Sequence, residues 1–102
     1  MWIFVHFDLP THTKKDRKAY VKFRKMLLDD GFNMIQYSIY VRHCSSRENA
    51  AVHKKRVKRH LPPQGHVITF DITDAQFGKM DIFHGTKKAL PKENLPRQLE
   101  LF

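Results

Sequence analysis

Asp8 is the residue whose setting most suggests chemistry. It follows the apolar run Trp2-Ile3-Phe4-Val5-His6-Phe7 and precedes Leu9-Pro10, so its carboxylate projects where a buried strand ends and a turn begins. Two uses suit a carboxylate in that place. One is to hold a hard cation such as Mg2+, which takes oxygen ligands from one or two carboxylates together with water and phosphate. The other is to bond backbone amides as a turn-former ahead of Pro10. A single carboxylate per chain is a sparse metal site, and a two-fold dimer would supply a second Asp8.

Lys14, Lys15, Arg17 and Lys18 form the second candidate set. They open a helix, where free N–H groups and the helix dipole add to the attraction of side-chain cations for phosphate. The balance of the whole chain points the same way, with 19 Lys and Arg against 10 Asp and Glu and a formal charge of +9. Thirteen of the nineteen basic residues lie within 14–30 and 47–60. Rows of cations on neighbouring helices can follow a phosphate backbone without reading bases. Nucleic acid is therefore the expected partner.

Other chemistries are disfavoured. Cys44 is the single cysteine, which excludes an intrachain disulfide and a cysteine-based zinc site and fits a reducing cytoplasm. His53 and His60 share a helix face but stand ~10 Å apart, too far to chelate one ion. Histidines on the surface or lining a groove are the better expectation. A His43–Cys44 nucleophile pair has no third group in view. The apolar run before Asp8 lacks a basic flank and is too short for a signal peptide or a membrane span.

The elements that must position these residues follow from spacing. Trp2 to Phe7 reads as a buried strand. Thr13 with Asp16 has the capping-box spacing, so a helix is expected from Lys14 to Asp30, stopping at Gly31. Its apolar stripe is Ala19, Tyr20, Phe23, Met26 and Leu27, with Val21 and Leu28 left on the polar side. Between Asn33 and His43, Ile35, Tyr37, Ile39 and Val41 alternate with Gln36, Ser38, Tyr40 and Arg42. That period fits one long strand or a hairpin turning near Tyr37-Ser38. Ser45 and Glu48 suggest a second capping box and a helix to about His60, with Ala50, Val57 and Leu61 as its thinner stripe. Pro62-Pro63-Gln64-Gly65 breaks it. A strand from Val67 to Thr73, a helical turn at Asp74 to Phe77 and a short strand from Met80 to Phe83 complete the series.

This order is α+β, a split βαβ arrangement with two helices on one face of an antiparallel sheet. The other face would carry either Trp2 and Phe4 or Ile3, Val5 and Phe7, and an apolar second face needs a cover. A back-to-back homodimer is the economical one. The domain is expected to span 1–85. Residues 86–102 form a tail whose Leu99, Leu101 and Phe102 suit strand addition at an interface.

Ile3-Phe4-Val5-His6-Phe7-Asp8-Leu9-Pro10, then Arg17, Gly31, Gln36, Ser38 and Tyr40, and later Thr73-Asp74-Ala75-Gln76-Phe77, stand in an order that resembles the CRISPR spacer-acquisition family. The likeness is to its small ferredoxin-fold member, also described as a CRISPR-associated endoribonuclease, and it runs over nearly the whole chain. The segment Lys14 to Cys44 looks most like members that accompany type II systems. The resemblance implies a ferredoxin-like βαββαβ homodimer with a short extra C-terminal strand. It implies that the dimer bridges two dimers of the CRISPR integrase and supports the double-stranded DNA that becomes a spacer. It also implies a magnesium-dependent endonuclease acting on single-stranded RNA or on DNA, with Asp8 at the metal-binding, catalytic position. Many relatives have serine or threonine two residues after this aspartate, where this chain has Pro10. That difference bears on the nuclease, not the fold. Two alternatives remain: a stand-alone, toxin-like metal-dependent endoribonuclease, and an RNA-recognition-type domain. The latter needs a Gly-aromatic-Gly-aromatic stacking segment, which this chain lacks.

Overall fold

The most apolar stretch of the sequence forms the centre of the sheet. In a computed structural model describing residues 1–85 and 87–88, β1 (Trp2–Asp8) lies antiparallel between β3 (Ile39–His43) and β4 (His66–Ile72). Beyond β3 lies β2 (Asn33–Gln36), giving the strand order β2-β3-β1-β4. Residues 33–43 are thus a hairpin. Tyr37-Ser38 turns it, and Ser38 takes the left-handed φ of 65° that a tight turn demands.

Helix α1 (Lys14–Asp29) begins as its sequence requires, with Thr13 Oγ1 accepting from the Asp16 amide and the Asp16 carboxylate accepting from the Thr13 amide. It ends at Asp30 as Gly31 turns left-handed, φ 88°. Phe23 and Leu27 are buried, while Val21 and Leu28 face outward as expected. Helix α2 (Arg47–Arg59) starts one residue later than the expected box: Ser46, not Ser45, caps it, accepting from the Asn49 amide at 3.0 Å. Either serine could cap. Packing sets the phase, because burial of Ala50, His53 and Val57 fixes which serine meets the first turn. Leu61 falls past the helix end and is 48% exposed, so it is not part of the stripe.

Both helices lie over Ile3, Val5 and Phe7, which join Phe23, Leu27, Phe32, Val57 and Tyr40 in the main core. Trp2, Phe4, Val41 and Phe77 form a smaller cluster on the opposite face. There α3 (Asp74–Gly78) lays Phe77 on Trp2, ring centroids 3.9 Å apart and nearly parallel. Fully burying a large apolar side chain contributes roughly 1.5–3 kcal/mol, so both faces of β1 favour the fold. Tyr40, which alternation grouped with polar residues, is buried beside Phe7, ring centroids 5.5 Å apart. β3 is covered on both faces, and a two-residue period cannot report that.

The expected strand from Met80 to Phe83 does not form as such. Met80 packs against the Trp2–Phe77 cluster, and only β5 (Phe83–His84) is extended. It pairs with β6 (Lys87–Lys88) in a separate ribbon, not with the main sheet. Apart from Lys87–Lys88, residues 86–102 lie outside the described residues, and with them Leu99, Leu101 and Phe102.

Candidate metal and nucleic-acid site

Asp8 ends β1 opposite His66 of β4. Directly paired antiparallel residues share a face, as do residues two apart, so Asp8, His66 and His6 all lie on the side away from α1 and α2. All three are exposed. The backbone around them is tightly held. The Phe7 amide donates to the Ser38 carbonyl at 3.1 Å, which ties the end of β1 to the hairpin turn. Gly65, at φ 97°, passes so close that a Cβ there would sit 2.7 Å from the Asp8 carbonyl oxygen. Only glycine suits that conformation and that approach.

The Asp8 carboxylate bonds no described residue. It is therefore not the amide-bonding turn-former that the sequence left open. A free, solvent-facing carboxylate on a rigid strand end fits one position in the coordination of magnesium, a hard cation that keeps several waters. One chain does not complete the set. Among the described residues no group of three or more His, Cys, Asp or Glu gathers to hold a metal.

Lys14, Lys15, Arg17 and Lys18 are exposed at the start of α1, but they are not equivalent. Arg17 donates from Nη1 to the carbonyls of Thr11 and His12, each at 3.2 Å, and so braces the loop into α1. Lys15 lines a small cavity with Leu9, Pro10, Pro62 and Pro63. Lys14 and Lys18 begin a row that Lys22 and Lys25 continue at helical spacing. Because α1 packs on one face of the sheet and Asp8 points from the other, the structure separates these two candidate sets.

Two features were missed in the sequence. His66 stands across from Asp8 through strand register alone, a long-range relation that no local spacing signals. His53, expected on the surface or lining a groove, is 4% exposed. Its Nδ1 lies 2.7 Å from Asp30 Oδ2, while Arg56 Nη1 reaches Asp30 Oδ1 at 2.6 Å. The spacing of His53 from Ala50 and Val57 was the available signal for burial. Burial also pushes the Cys44 thiol up and pulls His43 below the usual imidazole range. These shifts disfavour a thiolate–imidazolium pair.

The comparisons bear on the whole chain. Residues 1–80 match the family described as CRISPR associated protein Cas2. A protein named CRISPR-associated endoribonuclease Cas2 from Flavobacterium psychrophilum is 55% identical over 102 residues, covering all of this chain and 88% of its own length. One of the same name from Parvibaculum lavamentivorans is also 55% identical, over the full length of both chains. Among solved structures, Streptococcus pyogenes Cas2 crystallised at pH 6.5 superposes with a TM-score of 0.61 at 16% identity, over 82% of this chain and all of that one. At that identity the likeness concerns the fold, which is ferredoxin-like.

Proposed function

The chain belongs to the CRISPR-associated Cas2 family, and from that membership we propose that it serves CRISPR adaptation as a homodimer that binds DNA and bridges dimers of the CRISPR integrase. A magnesium-dependent endonuclease activity centred on Asp8 accompanies this role.

The observation that carries the reading is the composition of one sheet face. Ile68 and Phe70 are 58% and 44% exposed beside Phe4, and Asp8 projects from the rim of that same face. A second copy laid on it would remove the apolar side chains from water. It would also bring the end of each β1 towards a two-fold axis. Asp8 and its symmetry mate would then supply two hard oxygen ligands, where one chain supplies one. Magnesium, when bound, lends charge that orients a phosphodiester and acidifies water. The protein's part is to hold Asp8 rigid through the Gly65 and Ser38 backbone contacts and to present phosphates. Lys14, Lys15 and Lys18 attract duplex DNA from solution, while Arg17 divides itself between phosphate and its own loop. The cleavage substrate is single-stranded RNA or DNA, and the endoribonuclease names of the relatives favour RNA. With so sparse a carboxylate set, cleavage is slow.

Asp8→Asn tests the reading, since it keeps size and removes charge. It abolishes magnesium-dependent cleavage and leaves DNA binding and assembly with the integrase intact. Loss of the assembly as well would make Asp8 structural, and unchanged cleavage would move the metal elsewhere.

A further inference from the structure

A trough runs between the two long helices on the side of the sheet away from Asp8. One wall is α1, carrying Lys22 and Lys25. The other is the end of α2, carrying Arg56, Arg59 and His60. Two cavities of about 420 and 230 Å³ make up the trough. They share Lys22, Met26 and His60, so they lie side by side. The floor is apolar, with Met26 and then Leu61 and Pro62.

The charges are arranged to leave a net cationic surface. Asp30 lines the trough, but both its oxygens are engaged, one by Arg56 and one by His53. Asp29 is the one exposed acid on the lining, at one end. Lys22, Lys25 and Arg59 make no ion pair or hydrogen bond with described residues. Lysines four apart on α1 advance ~6 Å per step, so the row Lys14-Lys18-Lys22 presents cations at regular intervals leading into the trough. Such a row suits a polymer of regularly spaced charge.

We propose that the α1/α2 trough is a second phosphodiester-binding site, which takes single-stranded nucleic acid and is distinct from the duplex-binding start of α1. Cavities of this size match a single nucleotide better than the width of a double helix. Phosphates lie on the cationic walls, and the apolar floor receives the base or sugar. Phe23 is 2% exposed and the His60 imidazole is held against the Arg56 carbonyl at 2.8 Å, so the lining offers no stacking platform of Phe, Tyr or Trp and the site follows the backbone without reading sequence. Past His60 the trough reaches Pro62 and Pro63, which also line the small cavity at Leu9 and Pro10. A strand held there is led towards the end of β1. The proposal does not depend on cleavage at Asp8.

The test is fluorescence anisotropy with a 5′-labelled oligothymidylate and, separately, a labelled duplex, each over a range of salt. The variant Lys22→Ala/Lys25→Ala/Arg59→Ala removes exposed cations only, and its thermal unfolding checks that the fold is kept. Single-strand affinity is expected to fall at least tenfold, with the salt slope reduced by about two. Duplex affinity should change far less. The Lys22→Arg/Lys25→Arg variant should bind the single strand as the unaltered protein does. Unchanged single-strand binding by the triple alanine variant would overturn the proposal. So would equal losses for single strand and duplex, which would mean one shared surface. Loss of integrase association with single-strand binding intact would assign the trough to an acidic protein segment instead.

Discussion

Asp30 Oδ2 lies 2.7 Å from His53 Nδ1, joining the end of α1 to the middle of α2 beneath the surface. Arg56 completes the cluster from solvent, and Arg42 Nε donates to the Asp30 carbonyl at 2.8 Å. Asp30 therefore connects α1, α2 and β3. Removing its side chain leaves the buried His53 Nδ1 without its partner, which costs more than the bond itself contributes. Asp30→Ala should lose about 2–4 kcal/mol by urea denaturation. A loss below about 0.5 kcal/mol would show the cluster to be energetically idle.

Gly65→Ala tests the close passage beside Asp8. The added methyl group would meet the Asp8 carbonyl and Leu9 Cδ2, each at 2.7 Å, at a φ that alanine resists. A destabilisation of roughly 1–3 kcal/mol is expected, together with loss of magnesium-dependent cleavage as the end of β1 shifts. A Gly65→Ala protein of unaltered stability would mean that the loop moves aside freely.

The open sheet face makes a prediction about assembly. Ile68→Lys and Phe70→Lys alter side chains that are 58% and 44% exposed in one chain, so each protomer should stay folded with a modest loss of stability, mainly from the Phe70 ring stacked on Phe4. Light scattering at micromolar concentration should show a dimer for the unaltered protein and a monomer for the double variant. A stable interface on this face would bury at least ~1,000 Å². An unaltered protein that is monomeric would refute the proposed dimer.

Duplex binding should depend on the start of α1. Lys14→Ala/Lys18→Ala should weaken binding of unrelated duplexes about equally and lower the salt slope by about two. A loss confined to particular sequences would mean that these lysines read bases.

His43 gives a pH dependence. Burial, chiefly, holds its pKa below the usual imidazole value, the nearby Asp74 opposing. Its Nδ1 is buried without a partner among the described residues. The unfolded chain thus takes up the proton more readily than the folded one. No stability is lost at this site above the ordinary imidazole pKa of about 6.5. Below it, acid favours unfolding. His43→Gln should flatten the fall in stability between about pH 7 and pH 5; an unchanged slope would place the proton uptake elsewhere.

Much of this molecule was legible locally. The apolar run at Trp2–Phe7, the Thr13–Asp16 box, the stop at Gly31 and the break at Pro62-Pro63 each reflect interactions within a few residues, and each element formed where those signals placed it. The cationic segments were likewise plain, since charge needs no neighbours to be counted. What the sequence left open was every relation set by packing between distant segments. Two-residue alternation could not say that Trp2 and Phe4, not Ile3 and Val5, face away from the helices. That was decided when α1 and α2 closed over one side of β1. Tyr40 and His53 looked polar by type, yet each is buried because its contact, Phe7 or Asp30, comes from another element. Asp8 was found as a strand-end carboxylate. Its freedom from hydrogen bonds, its pairing with His66 and its close passage by Gly65 exist only because β4 lies beside β1, and that antiparallel pairing is a long-range contact that no local pattern encodes.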